Sequence, residues 1–329
     1  MVLRIGVLGA SRIAEEAIVG PAADLGHRLV AVAARDRSRA ASFAEKYGVE
    51  RVLDDYQAVI DDAHVDVIYN PLANSLHAPW NLAAIAAGKP VLSEKPFARD
   101  ESEARKVAEA ADSAGVTVME GFHYFFHPVT RRAFELAGDG TIGAVTRIEV
   151  RMAMPSPGED DPRWRLDLAG GALMDLGCYG LHVMRSIGAI GMAGVEGAPS
   201  ITGARAEQRT PGVDAWCDVD LGFPGGATGL ATHSMVGEGY SFTVRIVGTA
   251  GELLVHDFVK PNKDDRLTIT TAAGTVVENL GTRPSYTYQL EAFAAHVEHG
   301  ASLPFGTADA VANMAIVDDA YRAAGMQPR

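Results

Sequence analysis

Residues Arg4–Val19 read RIGVLGASRIAEEAIV. An unbroken apolar run meets a turn of small residues, and a helix-period segment follows at once. Continuous rather than alternating apolar runs mark strands buried on both faces of a parallel sheet. The same unit recurs along the chain. RLVAVAA, VDVIYN, PVLSE and VTVME read as further strands, and SRAASFAEKY, SLHAPWNLAAIAAG and ESEARKVAEAADSAG as the helices between them. Gly88 and Gly115 stand where helix C-caps belong, just before the next strand. This alternation predicts a doubly wound α/β sheet over residues 1–121.

Past His127-Pro128 the texture changes. One helix, PVTRRAFELA, leads into AVTRIEVRMAM, and then come ITGARAEQR, AWCDVDLGF, ATGLATHSMV, FTVRIVG, GELLVHD, RLTITT and TVVENL. Turn signals PGG, TAG and AAG separate several of them. The pattern predicts an α+β domain over 122–329 with a large, mostly antiparallel open sheet. Two helices, YTYQLEAFAAHVEHG and TADAVANMAIVDDAYRAAG, close the sequence. Few helices follow the strand-like runs of 202–279, so one sheet face is expected to lie bare as a large apolar patch that a second copy covers.

Composition narrows the partners. The 329 residues carry a net charge of −13, which argues against nucleic acid or anionic membrane as the main partner. No stretch reaches the ~20 apolar residues of a membrane span, and Met1-Val-Leu-Arg4 shows no secretory signal pattern. Cys178 and Cys217 are too few for a disulfide framework and are not spaced as a metal site. A reducing cytoplasm fits.

GVLGASRIA lies where a phosphate-binding turn belongs, between the first strand and its helix. Gly9, Ser11 and Ala14 take the three places of the glycine fingerprint. Gly9 permits the tight turn, Ser11 close backbone approach, and Ala14 close helix packing. Free N–H groups and the helix dipole would then hold a pyrophosphate. A plain strand–turn–helix with small residues reads the same. The tip of the second strand separates the two: Ala33-Ala34 carries no acid for a ribose, and Arg35 and Arg39 follow, with Asp36 one position late. Arginines bind phosphate bidentately, so the pair suits a 2′-phosphate, and NADP is preferred over NAD.

GVLGASRIA, YNPLANSLHAPW, SEKPFA, EGFHYFFHP and WRLDLAGGALMDLGCYGLHVMR stand in the order and rough spacing of the glucose–fructose oxidoreductase/inositol dehydrogenase (Gfo/Idh/MocA) family. The chain resembles that family over nearly its whole length. It looks most like the branch with dimeric dihydrodiol dehydrogenases, xylose dehydrogenases and sugar ketoreductases. The resemblance implies a Rossmann domain followed by a substrate-binding and oligomerisation domain, and a homodimer or dimer of dimers through the C-terminal sheet. It also implies that Arg12, Ile13, Pro71, Leu72, Asn74, His77 and Glu94 line the cofactor. Lys95 would reach the nicotinamide ribose and the reacting oxygen, and the peptide before Pro96 is often cis in the family.

In the second motif Asp175, Gly177 and Tyr179 match the family form D-x-G-x-Y. On a regular helix Asp175, Tyr179 and His182 share one face. The resemblance makes Tyr179 the acid/base. A free phenol near pKa ~10 is poorly matched to neutral pH, and the Lys95 ammonium and the cationic nicotinamide would favour the phenolate. Asp175 would orient Lys95 or a substrate hydroxyl; His182 is a candidate substrate contact, with packing and relay roles both open. Trp164, Arg165 and Tyr124 are candidate substrate contacts, with His123 behind them, and His233 and His256 read as structural. No metal is called for.

Two departures touch the substrate region. His123 stands where many relatives have Met and Phe125 where they have Arg, and the RWRLDLAGGALMD loop is about two residues short. The leading expectation is hydride transfer at a carbinol carbon of a sugar or cyclic polyol. A dihydrodiol-type dehydrogenase acting on a more apolar ring, or a non-catalytic NADP-binding regulator, are the alternatives.

Overall fold

A computed structural model gives the structure of residues 2–329. The chain forms two units, one running to Phe122 and taking in Tyr286–Met314, the other holding His123–Ser285 and Ala315–Arg329. The expected boundary at residue 121 therefore marks only the first of three crossings, because Tyr286–Met314 returns to the N-terminal unit. Within that unit the returning segment is tied down by His296, whose Nε2 lies 2.8 Å from Thr117 Oγ1. Thr287 donates to Asp24 at 3.3 Å, and Phe305 meets Phe122 edge-on at 6.4 Å.

The first unit holds five parallel strands: β1 (Arg4–Leu8), β2 (Arg28–Ala33), β3 (Val67–Asn70), β4 (Val91–Ser93) and β5 (Val118–Glu120). Their order is β2-β1-β3-β4-β5. The order reverses between β1 and β3, so the ligand crevice of a doubly wound sheet lies at their carboxyl ends. Every residue of β3, β4 and β5 is buried, as their unbroken apolar runs required. The helices are α1 (Gly20–Leu25), α2 (Arg37–Tyr47), α3 (Tyr56–Asp61), α4 (His77–Ala86) and α5 (Glu101–Ala114). α3, six residues capped by Asp55, is too short to show a period in the sequence. The expected helix RIAEEAIV opens instead as a π-helical turn, Glu15–Val19, in which Gly20 N–H bonds Glu15 O. Pro21 explains it. A proline inside a regular helix clashes with the carbonyl four residues back, and a wider turn relieves the clash.

The second unit is built on α6 (Pro128–Gly138), α7 (Cys178–Ile190) and eight strands. The strands are β6 (Val145–Ala153), β7 (Ser200–Thr210), β8 (Val213–Gly222), β9 (Thr228–Ser234), β10 (Ser241–Gly248), β11 (Gly251–Val255), β12 (Arg266–Thr271) and β13 (Gly274–Asn279). They run in the order β13-β12-β11-β10-β6-β9-β8-β7, all antiparallel except the β6–β9 pair. α8 (Ser285–His299) and α9 (Thr307–Ala323) complete the described chain.

α6 and α7 cover one face of this sheet, where Ile148, Val219, Ala231 and Ile246 are wholly buried. The opposite face is not the apolar patch expected. Strand alternation puts Thr232, Thr243 and Thr268 there, with an ion ladder across β11, β10 and β6. Arg245 pairs with Glu252 and, at 3.1 Å, with Glu149, which Arg147 also reaches at 2.7 Å. Burial of a different kind occurs below α7. Arg329 and Asp214 form an ion pair with side chains 1% and 0% exposed. Tyr321 Oη donates to the same carboxylate at 2.9 Å, and Arg329 Nε to Gly170 O at 2.8 Å. Burial raises the Asp214 pKa despite the pull of Arg329.

Candidate active site

In the first unit the carboxyl edge of the parallel sheet carries the candidate cofactor residues. Gly9 holds φ at 93° and donates its N–H to Ala33 O at 2.7 Å. A side chain there would adopt a disfavoured backbone and strike Leu72 at 2.9 Å, so the turn requires glycine. Ser11 Oγ is buried and has no hydrogen-bond partner among the described residues. A buried hydroxyl left so is costly without a ligand.

Beside the turn lies a groove of about 520 Å³ lined by Arg12, Ser38, Arg39 and Lys46 among others. Arg39 Nη2 donates to Ala10 O at 3.0 Å, fixing α2 to the turn. Asp36 is the nearest acid to the β2 tip, and it is used as the N-cap of α2. Its carboxylate accepts from the Ser38 hydroxyl at 2.7 Å and from Ser38 N–H at 2.8 Å, which lowers its pKa. Glu15 also lines the groove and is itself engaged, by Lys46 at 3.3 Å and by Tyr47 Oη at 2.6 Å; with both nearby acids bonded and Arg12 and Arg39 beside the turn, the residues present fit NADP. Arg35 is exposed and is not among the groove's lining residues.

The ends of β3 and β4 are held by a buried amide network that the sequence did not announce. Asn70 Nδ2 donates to Asn81 Oδ1 at 2.8 Å, and Asn81 Nδ2 to Ser93 Oγ at 3.0 Å. Asn70, Asn81 and Ser93 belong to quoted segments, but their side-chain reach shows only in three dimensions. His77 has Pro96 O at 2.7 Å and Leu72 O at 2.9 Å, one carbonyl on each ring nitrogen. Burial lowers its pKa to about 4, so the ring is neutral and donates to one carbonyl at a time. His77 thus braces the Leu72 loop against the Lys95–Pro96 turn, whose peptide is cis. Pro71 is buried, and Ile13, Leu72 and Asn74 are half-buried. Glu94 is buried and accepts a hydrogen bond from Tyr69 Oη at 3.0 Å. Burial, then the Glu94 charge, raises the Tyr69 pKa well above its ordinary value. Lys95, next in line, is half-buried.

In the second unit the candidate catalytic residues lie on α7 and the 3₁₀ turn His123–Phe126. Tyr179 Oη is 2.9 Å from His123 Nε2, and Tyr124 Oη is 2.6 Å from His182 Nδ1. Tyr179 and His182 do share a helix face. Asp175 precedes α7, in a π-helical turn over Leu173–Gly177 that closes from Cys178 N–H to Leu173 O. The carboxylate accepts a bond from Arg163 Nε at 2.8 Å, and its charge raises the Arg163 pKa. Gly180 lets α7 approach β9: a side chain there would meet His233 Nε2 at 2.3 Å. His233 is buried and bonded to Cys217 O, and His256 to Thr268 Oγ1.

Three expected substrate contacts are placed otherwise. Tyr124 and His182 are 0% and 1% exposed and bonded to each other, so they belong to the interior. Arg165 is exposed and pairs with Asp167, whereas Arg163, two residues earlier, reaches Asp175. Trp164 donates Nε1–H to Pro157 O at 3.2 Å, and the Arg209 guanidinium covers its ring at 4.5 Å.

Comparison with known proteins agrees with this geometry. Residues 3–122 match the GFO/IDH/MocA oxidoreductase family with its NAD-binding Rossmann fold, and residues 130–254 match the GFO/IDH/MocA C-terminal domain. A D-xylose 1-dehydrogenase (NADP(+)) from Haloferax volcanii is 32% identical over 98% of this chain and 97% of its own. The chain belongs to the GFO/IDH/MocA family. It is an NAD(P)-dependent oxidoreductase. The mouse trans-1,2-dihydrobenzene-1,2-diol dehydrogenase is also 32% identical, over 80% of this chain and 77% of that one. Among solved structures, a 3-ketoreductase from Actinomadura kijaniata with NADP and TDP-benzene superposes with a TM-score of 0.88. Its sequence is 27% identical, with 98% of each chain covered.

Proposed function

We propose that this protein moves a hydride between the nicotinamide of NADP and a secondary alcohol or carbonyl carbon, or a hemiacetal/lactone carbon, of a sugar or cyclic polyol. Tyr179 is the acid/base of that reading and Lys95 its polarising cation. NADP supplies the hydride acceptor or donor when bound. The turn at Gly9–Ser11 holds its pyrophosphate, Arg12, Ser38 and Arg39 hold its 2′-phosphate, and Lys95 reaches the nicotinamide ribose. The observation that carries the reading is the phenol of Tyr179, 4% exposed and bonded to an imidazole rather than to a backbone carbonyl. Tyr124 makes the same kind of pair with His182 but is 0% exposed; of the two phenols, Tyr179 is the one that also fills the tyrosine place of D-x-G-x-Y.

Solved forms of the 3-ketoreductase include a Tyr-to-Phe and a Lys-to-Ala variant. An apolar-ring substrate gains nothing from Phe122, Tyr124 and Phe126, because all three are closed within the interior. A non-catalytic regulator would need the phosphate turn but neither Lys95 nor Tyr179. A homodimer or dimer of dimers through the eight-stranded sheet belongs to the same reading, its open face meeting a second copy through charge rather than apolar contact. So does a cytoplasmic location.

The test is a panel of aldoses, cyclitols and aryl diols with NADP, read at the reduced-nicotinamide absorbance band, followed by Tyr179→Phe on the best substrate. Turnover should drop by ~10²–10⁴ with NADP affinity nearly unchanged. A folded variant keeping more than about a third of turnover, with chemistry shown rate-limiting by a deuterated substrate, ends the acid/base role.

A further inference from the structure

Behind Tyr179 the structure holds a second and a third group in line. His123 Nε2 is 2.9 Å from the phenol oxygen, and the opposite ring nitrogen, Nδ1, is 2.8 Å from Ser285 Oγ. His123 and Ser285 are 0% and 2% exposed. His123 comes from the turn after β5, Tyr179 from α7 and Ser285 from the start of α8, so three elements converge on one chain of hydrogen bonds. The rings of His123 and Tyr179 cross at 75° with centroids 5.8 Å apart, which directs an edge of the imidazole at the phenol.

We infer that His123 is a proton relay for Tyr179, held in the working tautomer by Ser285. The inference rests on the acid/base reading of Tyr179. With Nδ1–H donated to Ser285 Oγ, Nε2 presents a lone pair and accepts the phenol O–H. In alcohol oxidation the substrate O–H bond breaks and its proton passes to Tyr179 Oη. The phenol's own proton moves to His123 Nε2, while the carbon's hydride, with its electron pair, goes to nicotinamide. The carbon is oxidised by two electrons, the nicotinamide is reduced, and the proton rests on an imidazolium. Carbonyl reduction runs these transfers backwards. The consequence is that Tyr179 need never stand as a free phenolate. A nitrogen base is a better proton acceptor than a second phenol or a backbone carbonyl, so the relay gives the proton somewhere to go. The methionine that many relatives carry at this position has no proton to give and no nitrogen to take one.

Within the second unit His123 meets the titratable phenol of Tyr179 and the neutral hydroxyl of Ser285, while Tyr124, its neighbour in the chain, is bonded to His182. The experiment is the pH–rate profile of His123→Met, His123→Gln and Ser285→Ala beside the parent enzyme and Tyr179→Phe, with chemistry made rate-limiting. Measured as alcohol oxidation, His123→Met should lose ~10–100-fold in turnover at pH 7, with cofactor KM within about twofold, and should recover as pH climbs toward the phenol range. His123→Gln keeps a hydrogen-bonding group but cannot accept a proton, and should show the same shifted profile. Ser285→Ala should lose ~3–10-fold with a smaller shift. If Tyr179→Phe is dead while the His123 variants keep the parent profile, the relay is wrong and the acid/base reading stands. If Tyr179→Phe is active, both fall. Should His123→Met fail to fold, His123→Gln and Ser285→Ala decide.

Discussion

The two halves of the molecule hold their candidate residues with different materials. In the first unit the turn is shaped by backbone: Gly9 at a positive φ, its N–H on Ala33 O, and carbonyls of Leu72 and Pro96 on the ring of His77. In the second unit the site is made of side chains meeting side chains: Tyr179 on His123, Tyr124 on His182, Arg163 on Asp175. Backbone groups suit a pyrophosphate, which is the same in every dinucleotide, because they survive substitution at most positions. Side-chain pairs change with each substitution. A family that keeps its cofactor and varies its substrate therefore concentrates variation in the second unit, which is where His123 and Phe125 depart from the related motif.

The largest effect that separates the halves is expected at Lys95. Lys95→Met should cut turnover by ~10²–10⁴ and also weaken NADP, unlike Tyr179→Phe, which should spare affinity. The two losses should not add, since both act on one proton. Fluorescence titration of NADP with each variant checks this; equal affinities in both would detach Lys95 from the cofactor.

Acid should act on both halves through one buried histidine in each. Burial lowers the pKa of His77 and of His233 to about 4. Between the ordinary ~6.5 and 4 the unfolded chain binds protons that the folded chain refuses. Stability should therefore fall as pH drops through that window and level off below it, by up to about 3 kcal/mol for each ring. Denaturant unfolding at pH 7.5, 6 and 5 reads the slope, and a flat response would mean that the rings take up protons without unfolding.

The smallest effect concerns the 2′-phosphate. Arg39 lines the groove and Arg35 does not. Arg39→Ala should cost NADP about 10-fold in affinity and leave NAD alone, whereas Arg35→Ala should change either by less than about twofold. Equal losses in the two variants would return Arg35 to the phosphate.

Much of this was legible because it is periodic or contiguous. Every strand named in the sequence formed, since unbroken apolar runs and alternating ones specify different sheets without outside help. The phosphate turn was legible for the same reason: Gly9, Ser11 and Ala14 lie within six residues. What escaped depends on distant segments meeting. The reading of Asp175 counts a regular helix, and the π-helical turn that carries it, Leu173–Gly177, has no signature in the spacing. Arg163 rather than Arg165 engages it for a reason no spacing rule contains. His123 was visible as an oddity, but its partners stand 56 and 162 residues away. The open sheet face was misjudged because strand-like runs were counted without asking which residues each register turns outward.

The returning segment Tyr286–Met314 has a consequence in time rather than in space. A ribosome making this chain finishes all five strands of the parallel sheet by Glu120, yet the residues that complete that unit follow more than 160 positions later. At ~5–20 residues per second, the nascent sheet waits roughly ten to thirty seconds with Thr117, Asp24 and Phe122 still lacking His296, Thr287 and Phe305. Throughout that interval it is a client for whatever shields half-finished surfaces in the cell, and a gene cut after the last parallel strand would leave it one permanently.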